Sequence, residues 1–155
     1  MYIPMIILLT IVLPVGQAVW QWMDHSRTPF LMFLGPAYVF WAGGVRLLLA
    51  GLRQTFQPQF TAREIFEMKT DEALPVVQEL GFANISMGAL CLIAVFIPGM
   101  AIGGAIVAGL YYGLAGLKHA MSESRNTNRN VAMITDILVS AALAAYVATA
   151  ATATR

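Results

Sequence analysis

Five apolar runs, each about twenty residues long, fill most of this chain and leave it few ways to fold. They cover Tyr2 to about Trp22, Phe30 to about Leu52, Leu74 to Ile97, Met100 to Met121, and about Val131 to Ala151. About twenty apolar residues is the length at which a helix crosses the hydrocarbon of a bilayer. Barrel strands would be about ten residues long and would alternate apolar with polar. Composition points the same way: 59% of the 155 residues are hydrophobic and only 11% charged, whereas soluble domains carry about 25% charged residues. A soluble fold this short lacks the interior to hide so much apolar surface. The expected fold is all-α, a polytopic helical membrane bundle in one domain over residues 1–155.

Five spans put the termini on opposite sides. Four remain open if the first run lies along the surface or is a secretory signal. Gly16-Gln17-Ala18 resembles a cleavage site, but no Lys or Arg precedes the apolar run, as a signal peptide requires. Pro14 and Pro36 predict bends in the first two spans, and Pro29 opens the second. Trp20 and Trp22 suit an interfacial belt. A very tight Pro98–Gly99 turn joins the third and fourth spans.

Lys and Arg orient the bundle. Arg53, Arg63, Lys69, Lys118, Arg125 and Arg129 fall on one side in the five-span arrangement, and Arg27 and Arg155 on the other. The positive-inside rule places the first side, with the N-terminus, in the cytoplasm. Residues 54–73 form the one sizeable cytoplasmic loop. There, Thr61-Ala62-Arg63-Glu64 fits a capping box, and Ile65, Phe66 and Met68 give the short helix after it an apolar, interfacial side. Glu64, Glu67, Asp71 and Glu72 share this loop as a solvated acidic face.

In the fourth span Gly99 with Gly103, and Gly109 with Gly113, are spaced GxxxG. Small residues at this spacing let helix backbones approach closely in lipid. The fifth span offers Ala141, Ala145 and Thr149 as the facing stripe. The contact serves an intrachain bundle or an oligomer interface. The bilayer is the partner the composition demands, and a homo-oligomer or larger membrane complex is compatible with it. A net charge of +1 argues against a nucleic-acid partner. The single cysteine, Cys91, excludes an intrachain disulfide.

Polar groups inside the runs are the candidate site. Arg46 lies six residues before the expected end of the second span, roughly 9 Å deep at 1.5 Å per residue. Glu79 in the third span, His119 at the end of the fourth and Asp136 in the fifth fall near the same level. Glu79, Ala83 and Ser86 share one helical face, Gly81, Asn84 and Gly88 an adjacent one, and Tyr112, Gly116 and His119 a third. Small residues beside polar ones leave room for water or a ligand. Intramembrane charges face the interior and pair, so Arg46 is expected to meet Glu79 first and Asp136 second. Three uses remain open. One is a structural ion-pair network. Another is a ligand, lipid-headgroup or ion site built from Arg46, Glu79, Asn84, Tyr112, His119 and Asp136. The last is a metal site with Glu79, His119 and Asp136 as ligands, although no Glu-x-x-His pair of the di-iron type is present. The nine Met are scattered and suit packing. No phosphate loop, nucleophile elbow or Cys-His motif names a reaction or a cofactor.

The run Glu79-Leu80-Gly81-Phe82-Ala83-Asn84, the Gly-rich helix ending in His119, and then Asn128, Asn130 and Asp136 resemble a family of small prokaryotic membrane proteins of unknown function over roughly residues 76–140. Lys118 departs from the Gly-His step of that pattern. The resemblance implies a helical membrane fold, in a prokaryotic inner membrane, and no activity. Function then divides among three classes. The first is a small-ligand or lipid-binding bundle, or an accessory subunit of a membrane complex. The second is an ion- or proton-coupled transporter using Glu79 and Asp136. The third is an enzyme acting on a lipid or quinone through His119.

Overall fold

In lipid, every backbone amide must find its partner within its own segment, and the chain obeys this with five long helices. A computed structural model describes residues 2–25, 27–97, 99–122 and 126–153. The helices long and apolar enough to span are α1 (Ile3–Asp24), α2 (Leu31–Phe56), α3 (Leu74–Ala94), α4 (Met100–Ala120) and α5 (Thr127–Thr152). The chain is thus an integral membrane protein. Its outer surface is apolar, as at Trp20, 73% exposed, and Leu110, 64% exposed. The expected tight turn at Pro98 lies outside the described residues, as do Arg125 and Arg155. Gly99 takes φ +82°, a left-handed conformation that glycine adopts without strain.

Prolines act through wide helical turns. A π turn at Leu8–Val12 precedes Pro14, and the Leu13 amide donates back to the Leu8 carbonyl. Pro36 is followed by a π-helical stretch, Val39–Arg46. Such turns re-satisfy carbonyls that a proline leaves without a donor. Arg46 closes the second stretch.

Two helix ends differ from expectation. Gln57 precedes Pro58, which disfavours helical ψ at Gln57; its φ of −137° ends α2 only after Phe56. Pro58 then opens the connecting helix, Pro58–Phe60 continued by Thr61–Ile65. Thr61 therefore lies inside a helix and makes no side-chain cap, so the capping box does not form. Ile65 is buried while Met68 is exposed, so the apolar side expected there is split. At the other end, the Asn126 side chain accepts a 2.8 Å bond from the Arg129 amide. This N-cap starts α5 at Thr127, earlier than the apolar pattern suggests.

Helix packing follows small residues, but at other positions than GxxxG spacing indicates. α4 and α5 pack along an extensive contact, and α2 with α3 along a still more extensive one. In α4, Gly109 faces Leu143, and the Ser140 hydroxyl, beside Gly113, donates 2.9 Å to the Gly109 carbonyl. Among the described residues, a Cβ on Gly99 or Gly103 would meet nothing within 4 Å, so the first GxxxG pair packs none of the described helices. The buried stripe of α5 is Val139, Leu143, Tyr146 and Ala150, while Ala141 is exposed. In the second pair, a Cβ on Gly88 would stand 2.7 Å from the Leu48 amide nitrogen, and one on Gly51 2.7 Å from the Gly81 carbonyl. The space expected beside Gly81 and Gly88 is filled by the α2 backbone.

Candidate functional site

With α2 running to Phe56, Arg46 sits ten residues from its end, roughly 15 Å along the axis. Asp136, nine residues into α5, lies at a matching depth. Arg46 Nη2 donates to Asp136 Oδ1 at 2.7 Å, and both side chains are buried. The guanidinium also lies 4.9 Å from the Tyr112 ring centre. Tyr112 in turn donates 2.7 Å to the Ala42 carbonyl, inside the π-helical stretch. A fully desolvated cation in hydrocarbon needs such partners. Of the two carboxylates expected for Arg46, Asp136 is the one it meets. Glu79 is exposed, because the face it shares with Ala83 and Ser86 points away from the other helices.

Asn84, 1% exposed, lies level with this pair on α3. Its Nδ2 donates 2.7 Å to Gln54 Oε1, and its Oδ1 has no hydrogen-bond partner among the described residues. His119 is shallower, in the last turn of α4, stacked on Phe66 with ring centres 6.5 Å apart. The expected common level therefore divides in two: Arg46, Asn84 and Asp136 are deep, whereas Glu79 and His119 lie nearer the helix ends. Among the described residues no three His, Cys, Asp or Glu side chains converge as metal ligands. Glu79, His119 and Asp136 thus form no metal centre.

Arg46, Asn84, Tyr112, His119 and Asp136 all border one cavity of about 400 Å³. Its walls are mostly apolar, from Ile6 of α1 to Leu80 of α3. The connecting helix covers one side with Phe60, Ile65 and Phe66. Arg129, 6% exposed, secures that helix: its Nε and Nη2 both donate to the Ile65 carbonyl, at 3.1 and 2.8 Å. Asn126 adds a 2.6 Å bond to Glu67 Oε1. Leu49 and Leu114, 40% and 68% exposed, also border the cavity from α2 and α4. The cavity wall therefore reaches the apolar exterior at these two side chains.

Sequence reasoning missed several of these residues. Arg53 and Gln54 follow Arg46 by seven and eight positions, two helical turns on, which was the signal for a shared face. Tyr111, whose hydroxyl approaches Asn84, also borders the cavity. Arg129 lay in what the pattern marked as loop.

Fold and site together define a polytopic helical membrane protein with an apolar-walled, polar-floored cavity at one end of its bundle. The chain belongs to a family of unknown function (DUF6790), whose model matches residues 2–155. The match extends well beyond the half of the chain that carried the resemblance. Among curated proteins and solved structures, nothing matches the chain.

Proposed function

We propose that this protein binds an amphiphilic molecule drawn from the surrounding bilayer. One observation carries the reading: the cavity of about 400 Å³ joins apolar walls, which reach the outer surface at Leu49 and Leu114, to a polar floor. Ligand pockets characteristically span about 300–1,000 Å³, with apolar walls and a few placed polar groups. Binding is favoured over ion coupling because Asp136 is already held by Arg46 and Glu79 is outside the cavity. The end of the bundle with the cavity carries Arg53, Arg63, Lys69, Lys118 and Arg129, against Arg27 at the other, which favours a cytoplasmic placement for it.

Native mass spectrometry of the detergent-purified chain, titrated with diacyl lipid, tests this. Ala115 lies on the cavity wall, and Ala115→Trp places an indole in the space. The expected result is one tightly retained lipid on the wild type and none on the variant. Equal lipid retention by both, with unchanged melting, would place any bound lipid elsewhere and overturn the reading.

A further inference from the structure

The proposed occupant has two ends, and the polar one meets a cavity with an excess of positive charge. Among the described residues, Arg46, Arg53 and Lys118 border it against a single carboxylate, Asp136. Asp136 is committed to Arg46 at 2.7 Å, which leaves Arg53 and Lys118 without an acid among the described residues. Arg53 is half-buried, and among the described residues its guanidinium makes no ion pair or hydrogen bond. What holds it is the Phe60 ring, whose centre lies 3.4 Å from Cζ. Stacking fixes the plane of a guanidinium while leaving its edge donors unspent. Phe60 is itself positioned by the connecting helix, which Arg129 ties to α5. The cation is thus oriented by structure and left electrically unanswered.

Lys118 is exposed at the end of α4, where its ammonium can move over the mouth of the cavity. A flexible point charge beside a fixed planar fork suits a compact anion with several oxygens. Asn84 and Gln54 are buried and hydrogen-bonded to each other, an amide network that meets hydroxyl or ester oxygens rather than charge.

Building on the proposed amphiphile site, we infer that Arg53 and Lys118 receive an anionic headgroup, phosphate in character, while the acyl part lies along the apolar wall. A lipid phosphomonoester and free phosphate share this chemistry; the apolar walls, which reach the outer surface at Leu49 and Leu114, favour the lipid.

The test uses the full-length chain in neutral detergent with three probes: dioleoyl phosphatidic acid, dioleoylglycerol and inorganic phosphate. The two lipids share their chains and differ in the phosphate. Phosphatidic acid should bind at least tenfold more tightly than dioleoylglycerol, and Arg53→Gln combined with Lys118→Gln should bring that ratio close to one. Lys118→Gln alone, at an exposed side chain with no partner among the described residues, should lower the ratio severalfold without touching the fold. Arg53→Lys, which keeps charge but loses the stacked fork, should retain part of the preference. Equal binding of the two lipids to the wild type would overturn the anionic assignment and leave the amphiphile site standing. Binding of neither lipid would overturn both. Inorganic phosphate binding as tightly as phosphatidic acid would keep the anion site and remove the lipid.

Discussion

Replacing Arg46 with leucine strands the buried Asp136 carboxylate without its partner, and the reverse change strands the guanidinium. Breaking a buried pair from one side costs about 3–5 kcal/mol, whereas replacing both partners with apolar groups can be close to neutral. Arg46→Leu and Asp136→Leu are therefore expected to destabilise strongly, and the double variant to recover much of the loss. Part will remain, because the Tyr112 ring also loses its cation. Glu79→Leu should shift stability by less than about 0.5 kcal/mol, as at ordinary exposed positions. Thermal unfolding in detergent reads the cycle. Additive losses in the Arg46–Asp136 cycle would mean that the two charges are satisfied independently. The sequence made both carboxylates plausible partners, since composition and depth bring each within reach of Arg46. Helix rotation decides between them, and rotation depends on which face of α3 meets α2. Gly81, Asn84 and Gly88 form that face, which turns Glu79 outward.

At the scale of elements, glycines give the sharpest contrast. Gly88 faces backbone atoms of α2, which cannot rotate away as a side chain can. Gly88→Ala should separate α2 from α3 at a cost of about 1–3 kcal/mol, the usual range for overpacking. Gly103 is exposed, and a Cβ there would meet none of the described residues, so Gly103→Ala should be neutral or gain up to about 1 kcal/mol of helix propensity. Opposite signs in paired melting curves are the expected outcome; a loss at Gly103 would reveal an intermolecular contact there. The GxxxG pattern identified α4 as a packing helix and found the contact of Gly109 and Gly113 with α5. It overlooked α2 with α3, because Gly44 and Gly51, like Gly81 and Gly88, are spaced by seven rather than four. The connecting helix makes a separate claim. Arg129→Leu removes both bonds to the Ile65 carbonyl, so amides of residues 59–66 should exchange hydrogen much faster while those of α3 and α4 hardly change. Unchanged exchange would show that Ile65 and its apolar neighbours hold that helix without the clamp.

For the molecule as a whole, the number of crossings controls everything said about sides. Five spans were legible because apolar run length is a strong signal, and the helices match those runs to within a few residues at most ends. The exceptions, Phe56 and Thr127, are set by Pro58 and Asn126, single residues whose effect is conformational rather than hydrophobic. An odd number of crossings puts the 25–30 turn and the 57–73 connection on opposite faces. Arg27 and Lys69 are exposed in those segments, whereas Cys91 is buried in α3 and should not react. Cysteines introduced singly at 27 and 69 should therefore label from opposite sides of sealed cells with an impermeant maleimide. The described basic residues divide five to one, so position 27 should label from outside and position 69 only after permeabilisation. Labelling of both positions from outside would require an even number of crossings between them, so that either α2 fails to cross or the cavity end does not face a separate compartment. Reversed labelling would keep the five helices and turn the cavity outward, and the occupant would then be drawn from the outer leaflet.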